Sequence, residues 1–147
     1  MKIRVYLDHC SFNRPYDDQS LLAIYLESEA KLSVQRKILE RVYDLAWSYM
    51  NDYENSVNPY EERKKTIAAW RSVAIIKVAP SGEISDRAKT FIESGFKPKD
   101  ALHISCAIQA HCNYFLTTDK GILNKYLGQI KLINPLDFIR IVEGNES

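Results

Sequence analysis

The chain has 147 residues, of which 46% are hydrophobic and 27% charged, a balance that excludes a disordered polymer and fits one globular domain with a real core. No apolar stretch approaches the roughly 20 residues that cross a bilayer, and the start, "MKIRVYLD", is too short in its apolar part for a signal peptide. Three cysteines make an odd count that does not build a disulfide framework, so a reduced cytoplasmic protein is expected; the net charge of +1 names no partner.

In chain order, the first expected element is a short apolar strand, Ile3 to Leu7, that stops at Asp8. A polar, proline-bearing segment follows, "HCSFNRPYDDQ". Helical periodicity runs from Gln19 to about Ala30, and a second helix is expected from an N-cap at Ser33 to Tyr43. "LAWS", residues 45 to 48, reads as the second strand. Asn58-Pro59 ahead of Glu61 and Glu62 reads as a helix start, with acids near the positive helix end, and the helix should reach about Arg71. "VAIIKV", residues 73 to 78, is a buried strand. Ser81 to Ser94 is a helix closed by Gly95, and Pro98 opens another through about His111. "YFLTT", residues 114 to 118, is a strand, Lys120 to Tyr126 a short helix, and "IKLIN" the last strand.

Short β-branched or aromatic strands alternating with helices predict a parallel sheet covered on both faces. The fold class is therefore α/β with three layers, in a single domain spanning 1–147. Right-handed crossovers bring the carboxyl ends of the strands and the amino ends of the helices to one sheet edge, where ligands of open α/β sheets bind. Asp8 and Asp119 end strands, Asp100 sits in the first turn of the helix opened by Pro98, and Asp52 and Glu54 follow "LAWS". Each acid alone has a local explanation as a cap, turn or helix-dipole partner. Together on one edge they would repel unless a cation or shared proton offset them. Acid-only clusters suit Mg²⁺ or Mn²⁺, and such ions activate water and stabilise a leaving oxygen in phosphodiester hydrolysis.

Other constellations are weaker. His9, Cys10, His103 and Cys106 could be joined as zinc ligands, but no paired Cys or His spacing supports this, and Cys106 and Cys112 read as small apolar residues on a buried helix. His103, one turn beyond Asp100, reads as a hydrogen-bonding neighbour of the site rather than a ligand. With five glycines in all, neither the P-loop nor the dinucleotide fingerprint occurs. Phe12, Tyr16, Tyr49 and Tyr53 lie near the expected edge, where they could stack unpaired bases. Arg14 could hold a phosphate or pair with Asp17 or Asp18.

The segments "LDHCSFNRPYDDQ" (residues 7 to 19) and "PKDALHISCAIQAHCNYFLTTDKGIL" (residues 98 to 123), with "NDYENSVNPYEERKK" and "INPLDFI", resemble a group of small stand-alone prokaryotic PIN-domain proteins. The resemblance implies a three-layer α/β/α PIN-like fold with a central parallel sheet of about four or five strands. It implies a metal-dependent ribonuclease, of the toxin type, whose metal-binding and catalytic acids fall on Asp8, Glu54, Asp100 and Asp119, with Asp52 the competitor of Glu54. It places Thr117 and Thr118 where the last acid or a water is positioned, and Asn13 and Arg14 near the substrate. His9 stands where this group usually carries Thr or Ser. The implied cofactor is Mg²⁺ or Mn²⁺. The implied partners are single-stranded or loop RNA, an antitoxin protein and a second copy of the chain, with no membrane. Two other readings stay open: an inactive PIN scaffold that binds RNA or protein, and a phosphotransfer domain with Asp8 as acceptor.

Overall fold

In a computed structural model, residues 2–144 are described; residues 1 and 145–147 of the expected domain lie outside the described residues. Five parallel strands form one sheet: β1 (Ile3–Leu7), β2 (Tyr43–Ser48), β3 (Ile76–Val78), β4 (Tyr114–Leu116) and β5 (Lys131–Ile133). Their order is β3-β2-β1-β4-β5, and the expected three-layer α/β architecture holds. Chain progression reverses between β1 and β4, so the topological switch point lies at their carboxyl ends.

Two apolar cores sandwich the sheet, because successive strand side chains point to opposite faces. Val5, Leu7, Leu45 and Trp47 enter one core with Val34 and Ile38 of α2 (Leu22–Leu39) and Phe138 of α8 (Pro135–Val142). Tyr6, Ala46 and Phe115 enter the other with α5 (Gly82–Glu93) and α6 (Pro98–Gln109). Among the described residues no helix is long and apolar enough to cross a membrane.

The boundaries differ from expectation in several places. The two helices expected over 19–30 and 33–43 are one, α2, because Ala30, Lys31, Val34 and Ile38 continue a single buried face and no Gly or Pro interrupts it. That helix ends before Tyr43, where Arg41 takes the left-handed conformation at φ 66° and Val42 N–H returns to the Lys37 carbonyl at 2.8 Å. Asn58 caps a turn by accepting from Tyr60 N–H at 3.1 Å, so α4 (Glu61–Ala68) begins after Pro59 and passes into a 3-10 turn, Ala69–Ser72. The strands expected over 73–78 and 114–118 shorten to β3 and β4.

Three short helices lie where no helix is expected: α1 (His9–Asn13), α3 (Tyr49–Ser56) and α8. α1 starts directly from the strand because Asp8 caps it. α3 starts from a reciprocal cap in which Ser48 Oγ accepts from Met50 N–H and Asn51 Oδ1 accepts from Ser48 N–H at 2.9 Å. α7 spans only Lys120–Leu123.

Candidate active site

Asp8 leaves β1 and caps α1, its Oδ1 accepting from Ser11 N–H at 3.0 Å. Its Oδ2 accepts from Thr117 Oγ1 at 2.5 Å. Thr117 follows β4, the strand next to β1 at the switch point, and its hydroxyl oxygen also accepts from Asp119 N–H at 3.1 Å. One threonine thus fixes two acids that are 111 positions apart by number, bridging across the strand pair. Thr117 has no exposed surface, so its role is to position, while Thr118 lines the cleft.

Asp119 caps α7 by accepting from Gly121 N–H at 2.7 Å, and a Cβ on Gly121 would stand 3.0 Å from that same oxygen. Asp100 sits in the first turn of α6, started by Pro98, and no described group hydrogen-bonds its carboxylate. The local explanations for Asp8 and Asp119 as caps are therefore realised, and they are also what aims both acids at one edge.

Glu54 and Asp52 separate cleanly on α3. Asp52 accepts from the Trp47 indole N–H at 2.9 Å and faces Arg71 at 3.5 Å. Glu54 points to α6, where its Oε1 lies 2.6 Å from His103 Nε2. His103 is one helical turn from Asp100 and shares its face. Its Nδ1 is 2.6 Å from the Tyr6 hydroxyl, which is 2.7 Å from Ser48 Oγ. A buried chain Ser48–Tyr6–His103–Glu54 thus runs from the core to the cleft. His103 as a hydrogen-bonding neighbour is legible from its spacing to Asp100. Tyr6 and Ser48 give no sequence signal beyond standing on β1 and β2.

Around this edge is a cleft of about 330 Å³ lined by His9, Cys10, Asn13, Arg14, Asp17, Glu54, Thr118 and Asp119; of the four acids, Glu54 and Asp119 line it, and Asp8 and Asp100 do not. Asn13 Nδ2 donates to the His9 carbonyl at 3.1 Å. Arg14 pairs with Asp17 at 3.1 Å and with Glu27 at 3.5 Å, so two carboxylates already offset its charge. A larger hollow of about 520 Å³ sits at the opposite edge of the sheet, lined by Ile3, Asn113, Tyr114, Lys131 and Ile141, and gathers none of the four acids.

The electrostatics follow from burial and crowding of like charge. Asp8 is 5% exposed. Burial pushes its carboxyl up to about 6, against the opposing hydrogen bonds from Thr117 and Ser11 and the charge of His103, with Asp100 adding to the rise. Burial and then the charge of Asp119 hold the Asp100 carboxyl above its ordinary value. Burial acts upward on Glu54 too, but the His103 hydrogen bond and the charges of His103, His9 and Lys99 outweigh it and hold that carboxyl low. Burial keeps the His9 imidazole below its ordinary value, with Glu54 opposing. Cys10 reaches solvent, yet protein atoms crowd it; that crowding, then the charges of Asp8, Asp119, Glu54 and Asp100, push its thiol up to about 12. The charges of all four acids are thus felt at Cys10.

The donor set is hard oxygen only, and its mutual repulsion is what a divalent cation relieves. Among the described residues no three His, Cys, Asp or Glu side chains are grouped closely enough to hold one ion. The fit is to Mg²⁺ or Mn²⁺ retaining several waters. A phosphoryl-acceptor role for Asp8 fits poorly, because both its oxygens are hydrogen-bonded and the side chain is buried.

The sheet order and the helices on both faces define a PIN-like α/β/α fold. At 14% identity, the chain superposes on the crystal structure of VapBC2 from Rickettsia felis bound to a DNA fragment from their promoter, with a TM-score of 0.55 over 90% of this chain and 98% of that one. No protein-family model matches the sequence, and no curated protein matches it significantly.

Proposed function

We propose that the protein is a metal-dependent endoribonuclease that hydrolyses RNA phosphodiester bonds at the acidic edge. The observation that carries this reading is the convergence of Asp8, Glu54, Asp100 and Asp119 at the β1–β4 switch point, with Asp8 and Asp119 tied by one buried hydroxyl. The four acids would hold one or two Mg²⁺ or Mn²⁺ ions, directly or through water. A bound ion supplies the charge that lowers the pKa of water and steadies the leaving oxygen.

The chain's own groups prepare that edge. Thr117 orients Asp8 and anchors the backbone of Asp119, and Gly121 leaves room for the Asp119 carboxylate. His103, braced by Tyr6, holds Glu54 Oε1 and leaves Oε2 without a described partner, so it acts as a positioning residue of the kind that supports metal-binding carboxylates. Thr118, Asn13 and Arg14 line the space beside the acids and would meet the substrate backbone.

The fold shared with VapBC2 supports a place in a toxin–antitoxin pair acting in the cytoplasm. An exposed apolar stripe on α2, Leu22, Tyr25 and Leu26, supports a protein contact, with an antitoxin or a second copy. The test is cleavage of a mixed, partly structured RNA pool with Mn²⁺, comparing wild type, Asp100→Asn and wild type in EDTA. Cutting that needs the metal and is lost in Asp100→Asn supports the proposal. Cutting that survives both EDTA and the substitution refutes it, and a folded wild type inert toward every RNA leaves a binding scaffold as the better reading.

A further inference from the structure

Beside the acidic cleft, a second hollow of about 310 Å³ shares His9, Asn13, Asp17 and Glu54 with it and is walled further on by Asn58, Tyr60 and Arg63. Its rim carries an arginine held between two tyrosines. The Arg63 guanidinium carbon lies 3.9 Å from the Tyr60 ring centre and 4.6 Å from that of Tyr16. Tyr60 is 55% exposed and Tyr16 is 38% exposed, so both rings keep surface open to solvent while Arg63 braces them. Arg14 in the neighbouring wall is paired with Asp17 and Glu27, whereas no described carboxylate forms an ion pair with Arg63.

An independent feature lies in the same wall. Asn58 is only 8% exposed, its Oδ1 is committed to Tyr60 N–H, and its Nδ2 donor is buried with no described partner. Lys99, the neighbour of Asp100 in the chain, has its Nζ 5.8 Å from the ring of Tyr53, the neighbour of Glu54, a second cation–aromatic pair.

We propose that Tyr16, Arg63 and Tyr60, with Asn58 holding the turn beneath them, form a subsite for an unpaired RNA nucleotide next to the bond that is cut. The base stacks on the open face of Tyr60 and the adjoining phosphate meets Arg63, while Asn58 Oδ1 fixes the backbone of Tyr60. This rests on the nuclease reading of the acidic cleft and deepens it: a braced, exposed ring selects bases free to leave a stack, and it tolerates sequence because every base has a π-face. Paired RNA cannot offer that face. The subsite thus names the side chains of this protein that would engage an unpaired nucleotide.

The test is fluorescence anisotropy with a short fluorescein-labelled single-stranded oligoribonucleotide and its duplex, in the Asp100→Asn background so that the probe stays intact. Tyr60→Ala is expected to weaken single-strand binding about tenfold, the scale of one base–aromatic stack, and to leave duplex binding unchanged. Tyr60→Trp should retain the affinity. Arg63→Gln should weaken binding severalfold and flatten the salt dependence by about 0.7 in log–log slope. Lys131→Gln, at the opposite edge, should change neither. Thermal melts verify that each variant keeps the fold. Single-strand affinities for Tyr60→Ala and Arg63→Gln equal to the parent's overturn the subsite alone. A parent that binds no RNA overturns the subsite together with the nuclease reading.

Discussion

Replacing Asp8 by Asn should stabilise the metal-free protein while abolishing its chemistry. Asp8 is buried, and its carboxyl is raised from 3.8 to about 6 by that burial. The native carboxyl thus holds its proton more tightly than the unfolded one, and the wild type loses stability as pH rises from about 4 through about 6. A rise of that size corresponds to about 3 kcal/mol at pH 8, with each unit worth 1.36 kcal/mol. Asparagine keeps an oxygen for Ser11 N–H, and its amide can donate to Thr117 Oγ1, which now donates to Asp8 at 2.5 Å. The substitution removes the buried charge but leaves the Thr117 O–H, which donates only to Asp8, without its acceptor, a loss of about 1 kcal/mol that trims the gain. Melting followed by circular dichroism in EDTA should show Asp8→Asn on the order of 5 °C above wild type at pH 8, with the gap closing as pH falls toward 4. Asp100, present in both proteins, repels the Asp8 charge, and the variant removes that repulsion in the same sense. Saturating Mn²⁺ should reverse the order by stabilising wild type, by about 2.7 kcal/mol at one hundred times Kd. A gap that does not change with pH, or a variant less stable at pH 8, would refute the assignment of Asp8 as a strained, buried carboxylate.

His103→Ala should leave Glu54 unheld and lower Mn²⁺ affinity about 10–100-fold by calorimetric titration, whereas Tyr6→Phe, which keeps the ring and His103, should cost less. Glu54→Gln should lose metal affinity and cleavage, while Asp52→Asn should keep both and cost on the order of 1 kcal/mol of stability from its bonds to Trp47 and Arg71; the reverse pattern would exchange their roles. Lys31, buried above Phe12, has its ammonium pulled from 10.5 down to about 7 by burial, with no described carboxylate beside it. Its native form prefers to be neutral, so the penalty is full below about pH 7 and vanishes above about 10.5; Lys31→Met should raise the melting temperature most at low pH and least in alkali.

The acidic edge was legible because it is a consequence of topology. Asp8, Asp100 and Asp119 each sit where a strand ends or a helix begins, and parallel crossovers bring such positions together whatever the detailed boundaries. Glu54 and Asp52 are not separable in the sequence because the start of α3 depends on a Ser48–Asn51 reciprocal cap without the usual Glu or Gln. The fusion of two expected helices into α2 has the same origin, since Ser33 looks like a cap but lies inside a helix whose buried face continues past it through Lys31, Val34 and Ile38. The chain from Ser48 through Tyr6 to His103 was hidden for another reason. Its residues are 42 and 97 positions apart, and only the β1–β2 pairing and the docking of α6 on the sheet bring them within hydrogen-bonding reach.

The most direct test is anomalous diffraction from crystals soaked in Mn²⁺, collected near the manganese edge. One or two peaks at the acidic edge beside Asp8, Asp100 and Asp119, with Glu54 Oε2 facing them directly or through water, are expected, and the same soak of Asp100→Asn should lose at least one. Well-diffracting crystals with no peak at that edge, or with manganese only elsewhere, would contradict the assignment of this edge as a metal centre.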